Sequence, residues 1–487
     1  MSELTKTLED VFGFTSFRPG QEEVINHLMQ KKKLLAVMPT GSGKSLCYQL
    51  PALLFENQTI VVSPLVALMN DQVIGLKDLD INAERVHSGM SESERTQIWE
   101  KFKNKQIKIL YISPESLMRV EMLSALKALN ISMFVVDEAH CISKWGSDFR
   151  REYELLKELQ NHFPEAIISA FTATADEETR ADINNKLTNG EGKIFLYGFN
   201  RPNLSLAVQQ KTNNWKAQLL EFLANRKNES GIVYCLSQKL TEQCAEFLQS
   251  EDFNAYPFHA GLDTDVKIDT QDKFMTEDNV VVCATIAFGM GIDKADVRYV
   301  AHISLPSSME AFYQEIGRAG RDGLDADTLL IFGLQDLFQR KRFIDMTDAH
   351  DSFKIKEHKR LDALIAYCDS ATCRRQSLLS YFKEICEPCG KCDNCINPPQ
   401  MIDGTEYAQM VLSAIYRTGQ YFGSGHIVDV LRGVDSDKVK AKGHDKIKTF
   451  GVGRTATNDF WKTFIRQMVS ANYLLINIQR YGALQIT

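Results

Sequence analysis

The chain has 487 residues, too many for a single hydrophobic core, and implies about three domains of about 150 residues each. Hydrophobic residues make up 44% and charged residues 24%, and no apolar run nears the roughly 20 residues that a bilayer-spanning helix needs; with a charged start that does not read as a secretory signal, the expectation is no membrane segment and a cytosolic or nuclear location. The net charge of −7 argues against wholesale coating of nucleic acid, and six of the eleven cysteines crowd between Cys368 and Cys395, which asks for a metal and not for a secreted disulfide framework.

In chain order, short apolar runs at 34–38, 59–62, 109–112, 133–136 and 166–170 alternate with longer stretches of helical periodicity. That alternation predicts an α/β domain with a parallel sheet covered on both faces. After the linker-like Asn200–Arg201–Pro202–Asn203, the pattern restarts at 231–234, 255–258, 280–283, 299–303 and 328–332. From about Gln335 the composition turns to charged helix and then to the cysteine cluster. Asn397–Pro398–Pro399 makes a stiff break before a last small domain. The expected boundaries are 1–205, 206–340, 341–402 and 403–487.

Met38–Pro39–Thr40–Gly41–Ser42–Gly43–Lys44–Ser45 follows the first apolar strand and precedes a plausible helix. A phosphate loop belongs there, because glycines let backbone N–H groups approach phosphates and the helix N-terminus adds its positive dipole end. Lys44 would contact the β and γ phosphates of ATP and Ser45 would hold Mg²⁺. Met38 stands where the strict pattern has its first glycine. Asp137–Glu138–Ala139–His140 sits at the carboxyl end of another strand, so Asp137 would hold Mg²⁺ and Glu138 would orient and deprotonate the attacking water, unless the pair only caps a helix. Far along the chain, Gln314–Glu315–Ile316–Gly317–Arg318–Ala319–Gly320–Arg321 offers arginines on a glycine-flanked segment. Arg321 is the first choice for a finger on the γ phosphate and Arg318 the second; a surface salt-bridge helix is the alternative.

Cys373 followed by Cys389–x–x–Cys392–x–x–Cys395 provides four thiolates, suited to a closed tetrahedral Zn²⁺ site with a structural role, or to an iron–sulfur cluster. Lys438 to Arg466 holds eight Lys or Arg against two Asp, a candidate basic surface or a solvated polar face.

These elements together resemble a superfamily 2 helicase core, and Ser63–Pro64–Leu65, Tyr111–Ile112–Ser113–Pro114–Glu115, Thr172–Ala173–Thr174 and the stretch 284–293, with Gly291 and Asp293 at the nucleotide, resemble its remaining motifs in order. Phe14 with Phe17–Arg18–Pro19–Gly20–Gln21 looks like the family's adenine-reading motif, with Gln21 and Arg18 on the base edge and Phe14 on its face. The stretch Cys141–Ile142–Ser143–Lys144–Trp145–Gly146–Ser147–Asp148–Phe149–Arg150 resembles the aromatic-rich loop of RecQ helicases. Trp145 and Phe149 can stack on bases, Arg150 adds charge, and with His140 they form the expected DNA-coupling set; burial of the two rings in the core is the alternative. Lys144 and Ser147 depart from the residues common in relatives.

The resemblance extends to zinc at the cysteine quartet and to a winged-helix domain from Asp403, including Gly443–His444–Asp445–Lys446 and Phe450–Gly451–Val452–Gly453–Arg454. It implies two tandem RecA-like parallel-sheet domains, a helical zinc-binding subdomain and a winged helix that grips duplex phosphates. It further implies 3′ to 5′ translocation on single-stranded DNA, unwinding of duplex or forked DNA in repair and recombination, and a single-strand-binding protein as partner. The chain ends at Thr487, where many bacterial relatives continue into a further helical domain, the HRDC domain. A scaffold that uses nucleotide only as a clamp is a rival reading, against which Glu138, Arg318 and Arg321 speak. An RNA-remodelling enzyme is the other; the zinc cluster and winged-helix tail favour DNA.

Overall fold

The structure is a computed structural model that describes residues 3–39, 41–143, 150–289, 294–347, 350–471, 473–477, 480 and 482–487. The expectations for Thr40, Trp145, Phe149, Gly291 and Asp293 lie outside the described residues.

The first compact unit comprises Met1–Arg201 with the described parts of Phe288–Ala295 and Tyr313–Asp322. Its sheet contains β1 (Leu34–Val37), β2 (Gln58–Val62), β3 (Ala83–Val86), β4 (Ile109–Ile112), β5 (Ile131–Val136), β6 (Ile167–Thr172) and β7 (Lys193–Leu196), all parallel, in the order β3-β4-β2-β5-β6-β1-β7. Every residue of β1, β2, β4 and β6 is buried, as expected of strands covered on both faces. Tyr48 on the helix Lys44–Leu54 packs edge-on against Phe171 of β6 with centroids 5.3 Å apart. Each such side chain taken from water contributes about 1.5–3 kcal/mol.

The second unit contains β8 (Leu204–Gln210), β9 (Gly231–Tyr234), β10 (Asn254–Phe258), β11 (Val280–Ala284), β12 (Tyr299–His302) and β13 (Ala326–Phe332), again parallel, ordered β10-β11-β9-β12-β13-β8. The two-sheet α/β architecture read from the sequence is therefore present. Strands β3, β7 and β8 are not among the sequence-predicted runs, and all three are sheet edges. Half-solvated edges tolerate residues such as Glu84, Arg85 and Lys193, so the apolar signal is lost there.

The same unit continues through the helices Asp351–Asp369 and Arg374–Tyr381 into the cysteine-bearing segment. It ends in helices Thr405–Arg417, Ser424–Arg432 and Asn458–Ser470 with the antiparallel hairpin β14 (Leu474–Asn477) and β15 (Ala483–Ile486). Gly453 is required where Trp461 is fully buried: a Cβ there would lie 2.3 Å from the indole, whose Nε1 donates to the Gly453 carbonyl at 2.9 Å.

His444 fills this domain instead of facing solvent, its Nδ1 lying 2.7 Å from Nε2 of His426, which stacks on Phe422 at 4.2 Å. Burial, the His444 ring and Lys438 push His426 down to about 4. Folding thus favours the neutral ring: the stabilisation is complete above the ordinary value of 6.5 and is lost as pH falls toward and through about 4. The free energy of unfolding should fall more steeply between about pH 6.5 and 4 in the natural chain than in His426→Gln, by on the order of 1 kcal/mol per pH unit, and the melting temperature with it. Equal slopes in the two proteins would refute the buried neutral pair.

Candidate active site

Strands β5, β6 and β1 are neighbours in the first sheet, and the loops at their carboxyl ends carry the acidic pair, Thr172–Thr174 and the phosphate loop to one side. Met38 replaces the usual glycine without cost, because it extends β1 by donating its N–H to the Thr172 carbonyl at 3.0 Å and its side chain lies in the core. Gly41 and Gly43 have φ of 81° and 76°, in the left-handed region, and a Cβ on Gly43 would lie 2.6 Å from Gln21 Nε2. Ser42 Oγ donates to the Pro39 carbonyl at 2.7 Å, closing the turn, and Lys44 opens the following helix beside partly buried Ser45.

Gln21 is 2% exposed, and its amide is engaged with the phosphate loop: Nε2 donates to the carbonyls of Ser42 at 2.9 Å and Gly43 at 3.2 Å, while Oε1 accepts the Arg18 N–H at 2.9 Å. The Arg18 guanidinium donates to the Gly41 carbonyl, and Phe14 is 51% exposed. Two of the expected base-reading residues, Arg18 and Gln21, are thus brought to the loop by its backbone carbonyls.

Asp137 follows β5 and is buried. Burial and the Glu138 charge push it up to about 7, against the pull of Lys44. Burial also lowers Lys44, which Glu138 and Asp137 hold up. A divalent cation at this carboxylate would reverse the balance and keep it ionised. Glu138 has φ of 47°, a left-handed conformation that costs a β-carbon residue on the order of 1 kcal/mol and occurs at functional sites. Its Oε2 lies 3.3 Å from Nδ1 of buried His140, and that nitrogen lies 2.8 Å from Thr172 Oγ1. Thr172 Oγ1 donates to the Thr174 carbonyl at 3.1 Å, and Gln314 Nε2 donates to Thr174 Oγ1 at 3.3 Å. His140 therefore starts a polar chain from the acidic pair to the arginine-bearing segment.

Within the first unit a cavity of about 360 Å³ is lined by Lys44, Ser45, Asp137, Glu138, Arg318 and Arg321. The volume lies within the range of small-ligand sites. Arg318 is buried and donates to the Gly289 carbonyl, whereas Arg321 is partly exposed, its Cγ 3.6 Å from where a Gly41 Cβ would stand. Arg150 donates through Nη1 to the Pro64 carbonyl at 2.8 Å, so it braces the Ser63–Pro64–Leu65 loop. Arg201, in a segment whose sequence reads only as linker, sends its guanidinium to the segment that bears Arg318 and Arg321.

In the second unit the Sγ atoms of Cys373, Cys389, Cys392 and Cys395 lie within 4.8 Å of one another. Zinc bonded to four thiolates at about 2.3 Å requires such a cluster. Cys373 and Cys392 each precede a helix, and backbone N–H groups of Cys389 and Arg374 donate to the Sγ of Cys373 at 3.3 Å and of Cys392 at 3.4 Å. Arg374 fastens the knuckle by donating to Asp393 Oδ1 at 3.0 Å and to the Tyr367 carbonyl at 2.8 Å. The donor set fits zinc, and Cys368 and Cys386 lie outside it.

Two parallel sheets in series, with a phosphate loop on the first, put this molecule in the class of nucleotide-driven helicase motors. Solved helicases have this fold: the Mycobacterium smegmatis helicase Lhr bound to ssDNA and AMP-PNP aligns over 100% of this chain and 60% of its own with a TM-score of 0.57 at 16% identity. The DUF1998 helicase MrfA bound to DNA aligns over 75% of this chain and 57% of its own with a TM-score of 0.56 at 18% identity.

The chain matches the DEAD/DEAH box helicase family over 18–183, the helicase conserved C-terminal domain over 215–323, the RecQ zinc-binding family over 334–396 and the RQC domain over 398–487. It is 41% identical to the ATP-dependent DNA helicase RecQ of Haemophilus influenzae, over 96% of this chain and 75% of that one. Identity to the RecQ of Pasteurella multocida is 41% over 99% and 76%, and to that of Bacillus subtilis 37% over 96% and 79%. The chain belongs to the RecQ family of ATP-dependent DNA helicases. It is accordingly an ATP-hydrolysing enzyme that unwinds DNA and carries the zinc-binding and winged-helix domains. No helix among the described residues is long and apolar enough to cross a membrane.

Proposed function

We propose that the enzyme translocates 3′ to 5′ on single-stranded DNA and opens duplex or forked DNA during repair and recombination, with hydrolysis coupled to closure of two RecA-like domains, 1–205 and 206–340. The observation that carries the hydrolytic reading is the single cavity lined by Lys44, Ser45, Asp137, Glu138, Arg318 and Arg321. Bound ATP with Mg²⁺ supplies a γ phosphoryl group open to attack by water. Lys44 and the backbone N–H groups of Gly41 to Ser45 bind its phosphates, Ser45 and Asp137 hold the cation, and Glu138 accepts the proton of the attacking water. Arg321, with Arg318 behind it, offsets charge that develops as the bond to the leaving oxygen breaks. Thr40, Gly291 and Asp293 complete the nucleotide site. Gln21, Arg18 and Phe14 read the adenine, and because Gln21 and Arg18 also hold the phosphate loop, base recognition and loop position are linked.

His140, Trp145, Phe149 and Arg150 couple DNA occupancy to Glu138, a role supported by the chain of contacts from Glu138 through His140 to Thr172. The zinc-binding subdomain spans 341–402 and the winged helix 403–487, whose basic segment grips duplex phosphates. A single-strand-binding protein is the proposed partner and the nucleoid or nucleus the proposed location. Direction, partner and cellular role rest on the family resemblance.

Duplexes with a 3′ or a 5′ single-stranded tail, in DNA and in RNA, decide the reading. ATP-dependent strand separation is expected on 3′-tailed DNA; preferential opening of the 5′-tailed duplex would reverse the direction, and equal activity on RNA would restore the RNA-remodelling alternative.

A further inference from the structure

The break between the two sheets, Asn200–Arg201–Pro202–Asn203, has no part in the chemistry described so far. Yet Arg201 is not solvated linker. Its Nη2 donates to the carbonyls of Ala319 at 2.9 Å and Gly320 at 2.8 Å, and its Nη1 donates to the Gly317 carbonyl at 3.3 Å. These carbonyls follow the helix Met309–Ile316, where the helix dipole leaves partial negative charge and helical hydrogen bonding has ended. A planar guanidinium presents several donors in one fork, which neither lysine nor glutamine reproduces. One turn earlier, Tyr313 Oη donates to the Phe199 carbonyl at 3.0 Å, with the two rings edge to face at 5.5 Å. Residues 199 and 201 therefore fasten both ends of the turn that carries Arg318 and Arg321.

The same guanidinium also adjoins the phosphate loop, since a Cβ built on Gly41 would lie 3.7 Å from Arg201 Nη1 and 3.6 Å from Arg321 Cγ. All these residues belong to the first unit. The geometry points to Arg201 as a positioning residue: by bridging the carbonyls of 317–320 next to Gly41, it sets where the Arg321 side chain stands relative to the phosphate loop. It is not among the residues that line the cavity with Lys44, Glu138 and Arg321. This inference rests on the reading of Arg321 as the finger.

The test is a double-mutant cycle on the full chain, measuring DNA-stimulated ATP turnover against ATP concentration in R201A, R321A and the double variant, alongside binding of a fluorescent non-hydrolysable ATP analogue with Mg²⁺. Misplacing a catalytic group by about 1 Å can cost about 10²-fold, and R201A should lower kcat by that order with KM and analogue affinity nearly unchanged. In the R321A background R201A should have no further effect, because there is no finger left to position. If R321A alone keeps full turnover, the finger reading fails. If R321A is inactive but R201A is silent, acts only on KM, or multiplies its loss through the R321A background, the positioning inference fails while the finger reading stands. Should R201A melt well below the natural chain, R201K carries the same cycle, since it keeps the charge and loses the fork.

Discussion

Arg321→Ala is expected to lower ATP turnover by about 10³- to 10⁵-fold while nucleotide still binds. An arginine finger interacts with charge that appears only as the phosphoryl group transfers, so its loss falls on kcat and not on ground-state affinity. The assignment to Arg321 over Arg318 follows from their surroundings. Arg318 is buried with its guanidinium on the Gly289 carbonyl, whereas Arg321 lines the cavity beside Gly41 with part of its surface open. Arg318→Ala should therefore lower stability as well as turnover. Lys44→Ala makes the contrast, since it removes a cation from bound and transition states alike and weakens analogue binding too. Single-turnover hydrolysis with analogue affinity measured in parallel separates the three; normal turnover in Arg321→Ala would remove the finger from this position.

Removing zinc should have the largest effect on stability. A structural zinc site of four thiolates carries an apparent binding free energy of about 10–16 kcal/mol, which in a small, loop-rich segment is also folding free energy. The segment also covers an edge of the second sheet. Asp393, one residue after Cys392, accepts the N–H of Val208 in β8 at 2.9 Å, and Arg375, two residues after Cys373, donates to the Leu204 carbonyl. Without the metal, the helices that start at Cys373 and Cys392 lose their anchor and the backbone groups of β8 are uncovered, which invites strand pairing between chains. Cys392→Ser, or prolonged chelation, should lower the melting temperature, release one zinc per chain and cause aggregation before ATP hydrolysis is directly impaired. A Cys392→Ser protein with unchanged melting and full zinc content would remove this cysteine from the ligand set.

The features legible in the sequence are those whose geometry is local. A Gly-Lys-Ser turn between an apolar strand and a helix can point its N–H groups only one way, and Cys-x-x-Cys-x-x-Cys already brings three thiolates within reach of one ion. Central strands were legible because burial on both faces makes them apolar throughout; β3, β7 and β8 were not, because an edge tolerates charge in the first two and the polar Ser205, Gln209 and Gln210 in the third. Phe14, Arg18 and Gln21 were identified by resemblance. The tie of Arg18 and Gln21 to the phosphate-loop carbonyls spans more than 20 residues and appears only when the chain is folded.

Residue order by itself thus determined the two-sheet α/β plan, the zinc quartet and the chemical roles open to Lys44, Asp137, Glu138 and the two arginines. The tertiary structure alone decided that Met38 can replace a glycine, that His140 leads through Thr172 and Thr174 to Gln314, and that Arg201 bonds the carbonyls of the segment bearing Arg318 and Arg321. The reason is that right-handed crossovers in a parallel sheet bring carboxyl-terminal loops from distant parts of the chain to one side. Side chains far apart in sequence meet there, and no local spacing records the encounter.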